Sequence, residues 1–311
     1  MTIPMEVIEV GPRDGLQNQD VALATPDKTV MIERLVAAGA RRIEVASFVN
    51  AARVPQMADA EAVIASLPRH KDVTTIGLVL NERGLDRALA TGIDEIGVVA
   101  VTSDTFGLRN QKQTAEQSVD MAVNVIARAR ASGRRAQVTI AVAFGCPFEG
   151  EVPQARVVAM AKRLAEAMPL EIALADTVGV GVPAQVKSLV AALAEAIPQI
   201  PLRFHFHNTR NTGLANAFAA VESGVRRLDS SVGGIGGCPF APAATGNIAT
   251  EDLVYMLERS GYSTGYDLNR LNAMAPWLAA RLQLAQLPAM VSRAALFPPQ
   301  TGKVGANASN A

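Results

Sequence analysis

Eight short β-forming runs alternate with long Ala-, Leu- and Glu-rich stretches, and this alternation constrains the fold more than any other feature of the chain. The runs are Met5–Val10, Arg42–Ser47, Val73–Leu80, Glu95–Val101, Gln137–Phe144, Glu171–Ala175, Leu202–His207 and Arg227–Ser231. Between them, Asp27–Ala38, Thr114–Ser132, Pro153–Ala167, Pro183–Ile197 and Thr212–Ser223 carry apolar residues at helical spacing. Thr25-Pro26 and Val182-Pro183 supply helix starts, and Gly39, Gly133 and Gly224 supply stops. Strands alternating with helices specify parallel βαβ units. Runs that are apolar on both faces suit a sheet covered on both sides. Eight such units favour a closed (β/α)8 TIM barrel over about residues 3–260, with an open doubly wound sheet as the alternative. Beyond Gly261, Tyr266–Leu284 and Met290–Phe297 read as appended helices. One domain over 1–311 is expected, with residues 261–300 as a C-terminal helical extension.

A chain of 311 residues that is 49% hydrophobic can bury a full core. Its 29 Lys+Arg are balanced by 29 Asp+Glu, which excludes the basic footprint of a nucleic-acid-binding protein. No apolar run approaches the roughly 20 residues of a membrane span. The start, Met1 to Glu6, lacks the regions of a signal peptide. Cys146 and Cys238 do not form a secreted disulfide framework. A soluble cytoplasmic protein with free thiols is the expectation.

In a barrel of this kind the chemistry sits at the C-terminal strand ends. His205 and His207 lie two apart in the seventh run, and His70 is the only other histidine. In an extended strand both imidazoles share a face, while Phe204 and Phe206 point the opposite way. Two neutral imidazoles form half of a metal site; a hydrogen-bonded pair in a buried strand is the plainer alternative. Arg13 and Asp14 follow the first run, Glu44 interrupts the second, and Asp176 follows the sixth. A glycine-rich loop from Val232 to Phe240 carries Cys238 and leads to Asn247.

Each of these has a plain reading too. Arg13-Asp14 fits a surface ion pair, Glu44 a partner for an arginine, and Asp176 a helix cap. The glycine loop fits a phosphate cradle, and Cys238 a packed thiol. Their coincidence on one rim, at five of eight strands, favours a site. Asp14, His205 and His207, with the oxygen of Asn247 as a fourth donor, would leave positions open for water and substrate. Mg²⁺ and Mn²⁺ suit such a set, and Co²⁺ and Zn²⁺ also fit.

These segments resemble the hydroxymethylglutaryl-CoA lyase family. The resemblance rests on Val10–Asn18, Ile43–Val49, Gly145–Gly150, Ala175–Gly181, His205–His207, Gly236–Phe240 and Gly246–Val254, in order and over nearly the whole chain. It implies a TIM barrel of the metal-dependent lyase and synthase superfamily. It implies Asp14, His205, His207 and Asn247 as ligands of a divalent cation, Mg²⁺ or Mn²⁺. Arg13 would meet the thioester carbonyl, with Gln17 of the same turn also binding substrate. Asp176 would sit beside the substrate hydroxyl, Glu44 would support that network, and Cys238 would be the catalytic thiol. The implied partner is an acyl-CoA thioester, and the implied assembly is a homodimer. The implied reaction is retro-Claisen cleavage of 3-hydroxy-3-methylglutaryl-CoA to acetyl-CoA and acetoacetate, a step of leucine degradation.

Another branched 3-hydroxyacyl-CoA, of isoprenoid or citramalyl type, is the nearest alternative substrate. A condensing synthase and a non-catalytic acyl-CoA-binding homologue are more distant readings. One departure bears on the acyl pocket. Family members usually read Asp-Thr-Tyr after the second histidine, where this chain has Asn208-Thr209-Arg210.

Overall fold

Each of the eight β-rich runs forms a strand, and the strands close on themselves. The computed structural model describes residues 2–237, 246–294 and 297. The strands are β1 (Glu6–Glu9), β2 (Arg42–Ser47), β3 (Thr74–Val79), β4 (Glu95–Val101), β5 (Arg135–Ala141), β6 (Ile172–Asp176), β7 (Leu202–Phe206) and β8 (Arg227–Ser230). All pair in parallel with their sequence neighbours, and β8 pairs with β1 to complete a closed barrel.

The crossovers are helical, as parallel pairing requires. α1 (Thr25–Ala37), α2 (Ala60–Ser66) and α3 (Glu82–Leu89) follow β1, β2 and β3. α4 (Asp104–Asn110) and α5 (Ala115–Ala131) follow β4. α6 (Gln154–Glu166), α7 (Pro183–Ala196) and α8 (Gly213–Glu222) follow the next three strands, and α9 (Thr250–Arg259) and α10 (Leu268–Arg281) follow β8. This is the (β/α)8 TIM barrel with C-terminal helices that the alternation specifies.

Two local expectations are corrected. Thr25 does not cap α1: the N-cap position is Ala24, and the Thr25 hydroxyl donates to Asp59 Oδ2 at 2.6 Å instead. Met290–Phe297 does not form a helix in its described part. Turns span Val291–Arg293 because the Asp252 carboxylate accepts the amides of Met290 and Val291 at 3.0 and 2.7 Å. The glycine stop after α1 behaves as read: Gly39 has φ +110°, and a Cβ there would meet Gly265 O at 2.3 Å.

Side-chain alternation sorts each strand. Phe204 and Phe206 point outward into the layer between barrel and helices, fully buried, with rings 5.6 Å apart. Inside, residues at the N-terminal ends of the strands form an ionic plug. Glu171 accepts from Arg42 at 2.7 Å and Arg227 at 2.9 Å and pairs with Arg203 at 3.1 Å; Arg42 also bonds Glu95. Burial pushes the Glu171 carboxyl up, but these arginines hold it below its ordinary range. The plug fills the N-terminal end, so the hollow of the barrel lies at the C-terminal ends of the strands.

Candidate active site

The exit from β1 is a tight turn, Gly11–Gly15, in which the amides of Arg13, Asp14 and Gly15 all reach Val10 O at 2.7–3.2 Å. This turn directs Arg13 and Asp14 over the barrel mouth. Arg13 Nη1 donates to Asp14 Oδ1 at 2.7 Å and Nη2 donates to Glu44 Oε2 at 2.8 Å. The pair is therefore no surface ion pair, since the Arg13 side chain is only 13% exposed. Glu44 does have the arginine partner that a buried carboxylate needs. A guanidinium held by two carboxylates is fixed in orientation and stays charged.

His205 and His207 share the inner face at the end of β7, with ring centroids 5.1 Å apart. Donor atoms from Asp14, His205 and His207 lie within 4.8 Å of one another. Asn247 joins them through an isolated bridge to His207. Its Nδ2 donates to Asp14 Oδ2 at 2.9 Å, which leaves Oδ1 buried and without a hydrogen-bond partner among the described residues. His207 Nδ1 is likewise buried and unpartnered. Orphaned buried acceptors are costly. A carboxylate, two imidazoles and a free amide oxygen in one place fit a divalent cation.

The electrostatics of Asp14 and His207 agree with that fit. Burial pushes the Asp14 carboxyl up, but Arg13 and then the histidines outweigh it and hold it at about 2. Burial, reinforced by His205, lowers His207 to about 4, so its ring is neutral near pH 7. His205 is also pushed down by burial, but Asp229 and Asp14 raise it overall. Burial raises Glu44 despite Arg13.

Asp229 is the residue that sequence reasoning missed. Its Oδ2 lies 3.2 Å from His205 Nδ1. A signal for it exists in the strand register. Arg203 pairs with Arg227, so two residues further along His205 stands beside Asp229 on the inner face.

Asp176 is placed differently from the substrate-facing role implied for it. In the β6–β7 register it pairs with Phe206, the outward face, while Ala175 pairs with His205. The Asp176 oxygens accept the amides of Val180 and Gly181, both at 2.9 Å, and burial raises its pKa. It caps the loop before α7 from behind the cavity wall, and Thr177 lines the cavity in its place. Gln17 lines the cavity, with its Oε1 buried and unpartnered among the described residues. Cys238 lies outside the described residues. The first three amides of its loop are used internally rather than offered to a phosphate. Val232 N goes to Glu9, Gly233 N to Glu251 and Gly234 N to Ser231 O. Asn18 Nδ2 ties down the carbonyl of Gly237 at 2.8 Å.

Most of these groups line a cavity of about 160 Å³; Asn247 and Asp176 are not among its lining residues. One wall is polar, with Arg13, Asp14, Gln17, Glu44, His205 and His207; the other is apolar, with Val49, Leu78, Leu80, Val99, Phe106 and Ala141. Arg210, at the departure from the family pattern, is not on either wall. It donates to the carbonyls of Val178 and Gly179 at 3.2 and 2.9 Å. No helix among the described residues is long and apolar enough to cross a membrane.

Known proteins share this architecture. A family model described as HMGL-like matches residues 4–277. The (R)-citramalyl-CoA lyase of Chloroflexus aurantiacus is 42% identical over 304 residues, covering 94% of this chain and 96% of that protein. A hydroxymethylglutaryl-CoA lyase of Bacillus subtilis is 39% identical over 274 residues, covering 88% and 92%. The structure of an HMG-CoA lyase from Acinetobacter baumannii in complex with coenzyme A and 3-methylmalate superposes with a TM-score of 0.90 at 38% identity, covering 96% of each chain. The sequence motifs, the closed barrel and these relatives converge, and the chain belongs to the HMGL-like family, among its CoA-substrate lyases.

Proposed function

We propose that this chain is a divalent-metal-dependent carbon–carbon lyase that cleaves 3-hydroxy-3-methylglutaryl-CoA to acetyl-CoA and acetoacetate. The observation that carries this reading is the unpartnered Oδ1 of Asn247 beside Asp14, His205 and His207, with Arg13 next to them. Mg²⁺ or Mn²⁺ held by those four residues would supply Lewis acidity to a substrate hydroxyl.

The remaining chemistry belongs to side chains. The bond between C2 and C3 breaks, and its electron pair moves onto the thioester as an enolate. Arg13, held by Asp14 and Glu44, meets the enolate oxygen with a fixed positive charge, the kind of preorganised contact that lowers such barriers most. The hydroxyl proton needs an acceptor. Glu44 lines the cavity and its carboxyl is raised by burial, which suits it to take a proton. Asp176 enters as a positioning residue that holds the loop carrying Val180 and Gly181. Cys238 protonates the enolate carbon and gives acetyl-CoA; a thiol with an ordinary pKa of about 8.5 can donate at neutral pH. Gln17 offers an unpaired carbonyl oxygen to the substrate, and the apolar wall receives the 3-methyl group.

A second reading has a specific observation behind it. The citramalyl-CoA lyase relative is 42% identical over most of both chains, and citramalyl-CoA is one methylene shorter between carboxylate and carbinol carbon. Both thioesters release acetyl-CoA, so the co-product distinguishes them. Incubation with each substrate and assay of acetoacetate against pyruvate tests the proposal. A higher kcat/KM for acetoacetate release supports it, and a higher value for pyruvate release transfers the assignment to citramalyl-CoA.

A further inference from the structure

Glu9 belongs to no role described so far, yet it is completely buried in the middle of the site's supports. It points away from the barrel interior, because its neighbours Ile8 and Val10 pack inward with Ile76. Its Oε1 accepts Gly11 N at 2.7 Å and Val232 N at 2.9 Å. Its Oε2 accepts the Thr250 hydroxyl at 2.7 Å. These donors open three separate segments: the turn that carries Arg13 and Asp14, the glycine loop, and the helix just after Asn247.

We propose that Glu9 is a positioning residue that fixes those three segments against one another and so sets the geometry of the metal-binding groups. The segments must be held to a fraction of an ångström, since Asn247 Nδ2 reaches across them to Asp14 Oδ2 at 2.9 Å. Close packing supports the same clasp. A Cβ on Gly11 would lie 2.6 Å from Glu9 Oε1, and one on Gly15 would lie 2.7 Å from Ile235 Cγ1 and Ser231 Oγ. Glu251 adds a second anchor, accepting Gly233 N with both oxygens at 3.0 and 2.8 Å.

The clasp is geometric, and its charge is secondary. Burial raises Glu9 to about 7, so charged and neutral forms coexist near neutral pH. A neutral acid keeps the arrangement by donating from Oε2 to Thr250 Oγ1, whose own proton then goes to Ser230 Oγ, 2.8 Å away. A glutamine does the same through its amide.

The test is hydrogen–deuterium exchange on the full chain, with metal affinity by titration calorimetry as a second readout. Only the second readout rests on the proposed metal site. Glu9→Ala should speed exchange in peptides covering 11–17 and 231–237, leave β5 protected, and weaken metal binding by at least about 10-fold, the scale of an outer-shell loss. Glu9→Gln should restore both readouts to within about 3-fold of the parent. If Glu9→Ala does not fold, Thr250→Val removes one leg and should speed exchange in the same peptides to a smaller extent. Parental exchange in Glu9→Ala, or in Thr250→Val when it stands in, overturns the proposal. So does a Glu9→Gln variant as impaired as Glu9→Ala. Absence of thioester cleavage by the parent counts against the proposed function and leaves the exchange result decisive for the clasp.

Discussion

Asp229 Oδ2 lies 3.2 Å from His205 Nδ1, and Arg203 Nε lies 3.3 Å from the other oxygen of the same carboxylate. The carboxylate can only accept, so Nδ1 of His205 carries a proton, and Nε2 is the nitrogen left to face a cation. Nε2 is the nitrogen that faces Asp14, 3.9 Å from Oδ2. The ion pair with Arg203 links this contact to the plug at the base of the barrel.

Asp229→Asn should therefore weaken metal binding by about 10- to 100-fold. An amide can donate to Nδ1 and drive the ring to the tautomer with a protonated Nε2. Calorimetric titration with Mn²⁺ checks this, and an unchanged dissociation constant would contradict it.

Cys238→Ala should lower kcat by about 10²-fold or more, the scale of a positioned proton donor. Metal stoichiometry should stay at the parent value, because no sulfur is in the proposed ligand set. Parental turnover in this variant removes the thiol from the mechanism.

Glu251 gives the stability a pH dependence of definite sign. Burial, then nearby Glu9 and Asp252, raise it to about 8 from an ordinary 4.5. The folded state thus holds a proton that the unfolded state releases above pH 4.5. Its stabilising contribution is full below that pH and is lost as pH rises through 8. Glu9, at about 7, adds in the same direction over a narrower window. Melting temperatures between pH 5 and about 9 should fall less steeply for Glu251→Gln than for the parent, by a stability difference on the order of a few kcal/mol. Equal slopes would show that Glu251 ionises at its ordinary pH in the fold.

Glu171→Ala removes the acid that Arg42, Arg203 and Arg227 share. Breaking one side of such a buried cluster leaves uncompensated charge and costs about 3–5 kcal/mol. The urea midpoint should fall accordingly. A loss below about 1 kcal/mol would mean that water or a neighbouring acid relieves the arginines.

Much of this was legible because periodicity survives tertiary context. The eight strands match their runs within a few residues, since Val- and Ile-rich segments covered on both sides have no competing conformation. The period of two placed His205 and His207 on one face and Phe204 and Phe206 on the other. What stayed hidden depends on register and closure. Asp229 reads as one more strand residue until β8 is aligned with β7. The orientation of Asp176 follows from its pairing with Phe206, which no single-strand pattern reveals. Glu9 and Glu251 gain their roles from segments 223 and 18 residues away, respectively. Met290–Phe297 has helical composition, but the Asp252 contacts with its first amides impose a turn.

The most direct test of the central claim is thioester cleavage by the purified protein before chelation, after chelation, and after add-back of Mg²⁺ or Mn²⁺, with bound metal counted in the same samples. One divalent cation per chain, activity abolished by chelator and restored by add-back, and no metal retained by His205→Ala are predicted. Activity that persists in metal-free protein, or parental metal content in His205→Ala, would contradict the convergence of Asp14, His205, His207 and Asn247 on a single ion.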